Sequence, residues 1–170
     1  MNFFDLIKKR SSVRSFTGRS LTEEEIEKLL RAANSAPSAG NLQSYEIVVI
    51  KEKGLKEDLA EAAHGQKFIE RAPALFAFIQ DAERSQNKYG ERGQLYSIQD
   101  GTIAATYLQL AAVELGLGSC WVGAFDEEAV KELLDTQKKP LTIIPVGHPA
   151  KSAGGDSQRR ELDDLVTTLE

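Results

Sequence analysis

Arg10-Ser11-Ser12-Val13-Arg14-Ser15-Phe16 puts two arginines and several hydroxyls between an amphipathic opening (Phe3, Phe4, Leu6, Ile7) and a turn at Thr17-Gly18. In an extended backbone the side chains alternate, so Arg10, Ser12 and Arg14 face one way and Ser11 and Val13 the other. The steps from Arg10 to Arg14 span about 13 Å. That reach lets one arginine meet a phosphate while the other meets a ring at the far end of the same ligand. Arginine suits the task because its planar fork stays charged and binds an oxyanion through two hydrogen bonds. The same residues also read as a solvated basic turn after a first helix, and the stretch alone does not separate the two.

Working outward, the pattern mixes helices and strands. Asn2 to Lys9 reads as a first helix. Thr22-Glu23-Glu24-Glu25 has the form of a capping box, and Ile26, Leu29, Leu30 and Ala33 follow at helical spacing. Asn34 to Asn41 ends that helix in a loop broken by Pro37 and Gly40. Glu46 to Ile50 and Ala74 to Ile79, the latter after Pro73, read as buried strands, with a short helix from Leu55 to Ala63 between them. Asp81 to Tyr96 is polar and carries Gly90 and Gly93 with Tyr89, Arg92 and Tyr96 interleaved. It reads as a mobile loop or a short irregular helix. Ile98 to Leu115 is the strongest helix; Ile103, Ala104, Leu108, Ala111, Ala112 and Leu115 cover a wide face, and Gly116 supplies the stop. A short strand at Ser119 to Val122 follows. Asp126 then caps a helix to Leu134, with Phe125 and Val130 placed as a hydrophobic staple. Leu141 to Val146 is a further strand, and the tail from Lys151 is polar until Leu162 to Val166. Without regular βαβ alternation the class is α+β.

Composition sets bounds on function. At 170 residues the chain is expected to form one domain, 1–170, with 41% hydrophobic and 28% charged residues, the values of an ordinary globular protein. A net charge of −5 argues against nucleic acid and against an anionic membrane surface as partners. The single cysteine, Cys120, excludes an intramolecular disulfide and a multi-cysteine metal site, and fits a reducing compartment. Asp5 and Lys8-Lys9-Arg10 interrupt any signal-peptide core, and no apolar run reaches membrane-spanning length. The expectation is a cytoplasmic protein. His64 and His148 lack metal-ligand spacing and read as structural, and there is no Rossmann glycine fingerprint.

Three further stretches carry chemistry. Pro37-Ser38-Ala39-Gly40-Asn41-Leu42-Gln43 is rich in small residues that let backbone approach a flat ring, and Asn41 and Gln43 offer amides; it also reads as a plain helix-to-strand connection. Gly116-Leu117-Gly118-Ser119-Cys120-Trp121-Val122-Gly123 follows the long helix, and Arg159-Arg160 lies near the end. Together with Arg10 to Arg14, in this order and spacing, these motifs resemble the FMN-dependent nitroreductase family over about Phe4 to Val166. The resemblance implies a central mixed or antiparallel sheet flanked by helices, in an intertwined homodimer with FMN at the interface. It implies that Arg10, Ser11, Ser12 and Arg14 hold FMN, with Arg159 joining Arg10 at the phosphate and Arg160 an alternative. Pro37, Ser38, Ala39, Gly40, Asn41 and Gln43 would come from the partner subunit to line the ring and ribityl chain. The family commonly continues there with Gln-Pro-Trp; this chain has Gln43-Ser44-Tyr45. Gln66, or less strongly Lys67, would meet the pyrimidine edge. Trp121, Val122 and Gly123 would run over one face, a backbone N–H of this segment meeting the flavin N5. Cys120 reads as a small buried residue, and Trp121 as core more than stacking partner.

The implied activity is that of an FMN-dependent oxidoreductase, using NAD(P)H to reduce flat aromatic acceptors (nitroaromatics, quinones or flavins) by ping-pong turnover. The cofactor carries the chemistry, so no catalytic side chain and no metal is expected. A flavin destructase or reductive dehalogenase of the same fold, and a flavin-binding protein without turnover, are the alternatives.

Overall fold

The computed structural model describes residues 1–151 and 158–169. The expected polar tail falls partly outside them, at 152–157. Beyond that point the chain is exposed coil with one 3-10 turn at Leu162–Asp164.

Among the described residues four strands build one antiparallel sheet: β1 (Tyr45–Ile50), β2 (Ala74–Gln80), β3 (Gly118–Ser119) and β4 (Pro140–Gly147), in the order β1-β2-β4-β3. Among the described residues the helices are α1 (Phe3–Lys9), α2 (Glu23–Asn34), α3 (Lys53–Ala62), α4 (Phe68–Arg71), α5 (Ala82–Tyr89), α6 (Arg92–Glu114) and α7 (Glu127–Leu133). All of β2 is buried. Alternation sends Ala74, Phe76 and Phe78 to one face, where they meet Leu29 of α2 and Ala104 and Leu108 of α6. Leu75, Ala77 and Ile79 go to the other, against Leu59 of α3, Ile69 of α4 and Val130 of α7. Covered on both faces, β2 is a continuous apolar run rather than an alternating one. Each large side chain buried here contributes roughly 1.5–3 kcal/mol. β1, expected to be buried, is an edge strand: with a neighbour on one side only, Ile50 alone among its residues is fully buried.

The capping signals are present. Thr22 and Glu25 close a reciprocal capping box on α2, and the Asp126 side chain accepts the Ala129 N–H of α7. α6 ends in a Schellman motif: Gly116 has φ 72°, its N–H donates to Val113 O, and the Leu117 N–H donates to Ala112 O.

Asp81 to Tyr96, expected as a mobile loop or a short irregular helix, is helical on both sides of a break at Gly90. Asp81 caps α5, Gly90 ends it, and α6 starts at Arg92, ahead of the expected Ile98. The two helices form a hairpin whose seam is made of small residues. A Cβ on Gly93 would lie 2.5 Å from the Gln86 nitrogen and the Ser85 carbonyl carbon, so the backbones themselves are in contact. Ser85 and Ser97 are fully buried nearby, and Gln80 of β2 donates to the Ser97 hydroxyl. The hairpin packs through glycine and serine, which is why hydrophobic periodicity does not reveal it.

Candidate functional site

The basic stretch is extended, as its spacing requires. Arg10 ends α1 with φ −63° and ψ 123°. The Val13 N–H then donates to Ser119 O at 2.9 Å, in a parallel bridge between Ser12 and Ser119. Farther on, Phe16 bridges Pro149 and the Thr17 N–H donates to His148 O. The stretch is thus laced to the β3 edge of the sheet. Val13 points inward onto Gly118, where any Cβ would lie 2.7 Å from the valine side chain. Ser11 shares Val13's side of the strand, beside a cavity lined by Lys9, Val113, Leu117 and Pro149, and its hydroxyl is buried without a partner among the described residues.

Arg10, Ser12 and Arg14 share the opposite side and gather around Cys120. Burial pushes the Cys120 thiol up, while the Arg14 charge, the Ser12 hydroxyl and the Arg10 charge pull it down. The thiol is 1% exposed and belongs to the floor of this cluster, the small buried residue expected. The Arg14 guanidinium lies 5.8 Å from the Phe68 ring centroid. Gln66, two residues earlier, donates to Ala63 O and Ala124 O, and the Asp126 N–H donates to Ala62 O. The 121–126 segment is therefore tied to the end of α3. Arg10, Ser12, Arg14, Gln66 and Gly123 fall within one contiguous region at the sheet edge.

Two expectations about this region need correction. The expected strand Ser119 to Val122 is only Gly118–Ser119 plus a single bridge between Val122 and Ile143. That bridge buries Val122 and engages both its N–H and its carbonyl with Ile143, so the Val122 amide has no proton to offer a ligand. The N–H groups of Trp121 and Gly123 have no protein acceptor among the described residues. Trp121, read as core, is 36% exposed: turning Val122 inward turns its neighbour outward.

The Pro37–Gln43 loop belongs to another place. It leads into β1, at the edge of the sheet opposite β3, three strand spacings or about 14 Å away. Gly40, Asn41 and Gln43 all have φ between 45° and 58°, a conformation costly for the two amides. Asp100 of α6, 2% exposed, holds both ends: its carboxylate accepts the Ala39 N–H at 2.8 Å and the Ser44 N–H at 3.3 Å. Ser38 Oγ accepts the Gln43 N–H, and Arg84 of α5 donates to Leu42 O. Among the described residues no hydrogen bond joins this loop to residues 10–14 or 118–124. Within one chain the two candidate regions lie apart, at opposite edges of the sheet. Arg159 and Arg160 are exposed; Arg160 donates to Asp164 O, and Arg159 makes no hydrogen bond or ion pair among the described residues.

Asp100 is not among the residues the sequence motifs single out. Its signal in the sequence is the one carboxylate among the buried, mostly small and apolar residues of α6. Lys88 and Tyr89 of α5, in the stretch expected as a mobile loop or a short irregular helix, cover Gly40: a Cβ there would meet the Tyr89 hydroxyl and would lie 2.6 Å from Lys88 Nζ. No group of metal-ligating side chains occurs among the described residues, and no helix there is long and apolar enough to cross a membrane.

Comparison with known proteins matches this arrangement to one family. A family model described as the nitroreductase family matches residues 7–68 and 64–148. An FMN reductase (NADPH) of Bacillus subtilis is 32% identical over 169 residues, covering 90% of this chain and 68% of the relative. An NADPH-dependent oxidoreductase of Staphylococcus aureus is 31% identical over 179 aligned residues, covering 96% of this chain and 71% of the relative. Among solved structures, a nitroreductase from B. subtilis superposes with a TM-score of 0.88 at 30% identity, covering 98% of this chain and 73% of that one. An FMN-dependent nitroreductase from Clostridium difficile gives 0.78 at 30% identity, covering 91% and 92%. With the family matched across both the Arg10–Arg14 edge and the long helix that carries Asp100, the chain belongs to the nitroreductase family.

Proposed function

We propose that the protein is an FMN-dependent NAD(P)H oxidoreductase that reduces flat aromatic acceptors by ping-pong turnover, as a homodimer in the cytoplasm. The observation that carries this reading is the convergence of Arg10, Ser12 and Arg14 on one side of an extended strand, over Cys120 and beside Phe68. The donor set fits a phosphate-bearing planar group. Arg10 and Ser12 supply charged and neutral hydrogen bonds for a phosphate, with Arg159 a candidate to join them. Arg14 lies toward Gln66 and Gly123, where the pyrimidine end of a ring system would meet a cation, an amide and bare backbone. Bound FMN would take electrons from the nicotinamide and pass them to the acceptor. Small residues in the Pro37–Gln43 loop of a partner subunit would close the second side and keep bulk water from the ring. Both reactants are flat, so each can occupy the same open face in turn. The names of the relatives, FMN reductase and NADPH-dependent oxidoreductase, support this chemistry.

The test is the visible spectrum of the purified protein. It should show flavin bands, and heat should release FMN rather than FAD. A colourless protein that also fails to bind added FMN would overturn the reading.

A further inference from the structure

The α5–α6 hairpin has a surface the reading above does not use. Lys88 and Tyr89, at the end of α5, lie directly over Gly40 in the expected ring-lining loop. Tyr89 packs edge-on against Tyr96 of α6, with centroids 5.1 Å apart and planes at 86°. Each ring carries a cation: Lys88 Nζ is 5.4 Å from the Tyr89 centroid, and the Arg92 guanidinium carbon is 5.6 Å from that of Tyr96. Arg92 also donates to the Tyr96 hydroxyl at 3.2 Å. The hairpin carries carboxylates too, at Glu83 and Glu91. Yet no carboxylate lies within 4 Å of Lys88 or Arg92 among the described residues, which leaves both charges available to a ligand. In a chain of net charge −5, two unpaired cations over a pair of tyrosines at the rim of the loop form a local anion-and-ring surface.

We infer that Lys88 and Arg92 bind the 2′-phosphate of NADPH, with its adenine lying against the Tyr89–Tyr96 pair. The chemistry fits in three respects. A phosphomonoester carries close to two negative charges at neutral pH and prefers paired cationic donors. A purine stacks on any aromatic face, and a tyrosine pair braced by neighbouring cations offers a pre-formed one. The surface borders Gly40, so a dinucleotide held there by its adenosine end has its nicotinamide end free to reach the ring-lining loop. At Gly93 the two helices of the hairpin meet backbone to backbone, which holds Tyr89 and Tyr96 on one surface. This inference rests on the flavin reading for its substrate and adds how NADPH is told from NADH.

The experiment uses Lys88→Gln, Arg92→Gln and the charge-keeping Arg92→Lys in the purified holoenzyme. These side chains are exposed or partly exposed and the fold does not depend on them. The ratio of kcat/KM for NADPH to that for NADH should fall about tenfold or more in each glutamine variant, the range of a lost charge-assisted hydrogen bond, and Arg92→Lys should recover part of it. Calorimetry with 2′,5′-ADP and 5′-AMP as probes needs no turnover. The wild type should favour 2′,5′-ADP, and the glutamine variants should lose that preference. A ratio within twofold of wild type in both glutamine variants, or equal affinity of the wild type for the two probes, would overturn the inference. The flavin spectrum separates the two readings. A yellow protein without 2′-phosphate discrimination refutes this site alone, and a colourless one that still prefers 2′,5′-ADP refutes the flavin reading alone.

Discussion

At the scale of single residues, Arg10 and Arg14 share one side of a strand but are expected to do different work. Arg10 sits where α1 ends, with Ser12 beside it, and Arg14 lies against Phe68 near Gln66. Arg10→Ala should weaken FMN binding by roughly 1.5–3 kcal/mol, the value of a charge-assisted hydrogen bond, with little change in the potential of the flavin that stays bound. Arg14→Ala should retain more flavin but lower its midpoint potential, because a fixed cation beside the pyrimidine end favours the more negative, reduced state. Paired dissociation constants and potentials decide; equal flavin loss with unchanged potentials in both would abolish the distinction. Asp100 is tested separately. Asp100→Asn turns one acceptor into a donor facing the backbone N–H of Ala39 or Ser44 and leaves that group unsatisfied. The cost is about 1–3 kcal/mol, or about 3–10 °C in Tm at this chain length, and FMN affinity should fall with it. Unaltered FMN affinity would show that the loop keeps its shape unaided. The alternation of Arg10, Ser12 and Arg14 was legible because an extended strand has one period. Asp100 was not, because what a buried carboxylate binds is decided by a loop some sixty residues away, and no local pattern encodes that contact.

At the scale of elements, boundaries set by side-chain caps were legible and those set by tertiary contact were not. Thr22, Glu25, Asp126 and Gly116 announce their roles within a few residues of sequence, and each is found where expected. The α5–α6 hairpin and the shortened β3 depend on which backbone approaches which, through Gly93, Ser85 and the single Val122–Ile143 bridge. The cap on α2 yields a pH prediction. Glu25 accepts the Thr22 N–H, which holds its carboxyl below the usual glutamate value; burial opposes this, and the Thr22 hydroxyl, His148 and Arg19 assist. A carboxylate depressed in the folded state binds fewer protons there than when unfolded. Its contribution is therefore complete above 4.5, the ordinary glutamate value, and is lost as pH falls through the lower folded value. Glu25→Gln should cost on the order of 0.5–1 kcal/mol at neutral pH. The gap to wild type should narrow as unfolding is followed from pH 5 into more acid solution. A gap that stays constant across that range would mean the carboxylate charge contributes nothing to the cap.

At the scale of the whole molecule, the chain exposes apolar surface that a monomer has no use for. Phe3 and Phe4 of α1 are 60% and 69% exposed, and Leu162, Leu165, Val166 and Leu169 stand out along the final coil. Exposed apolar side chains of this number fit the homodimer proposed above. Light scattering at low micromolar concentration should return twice the chain mass of 18.7 kDa; a monomer that retains flavin would contradict the two-chain site. In the proposed homodimer the two candidate regions, one laced to the β3 edge and one leading into β1 at the far edge, carry a genetic consequence. A chain with Arg10→Ala and a chain with Asp100→Asn are each defective in both sites of their own dimers. Co-expressed, they pair so that one site collects both lesions and the other collects neither. Two broken alleles should therefore complement each other, to at most half the flavin of wild type in the mixed dimer, whereas lesions confined to one chain's own site would leave that dimer with no intact site at all.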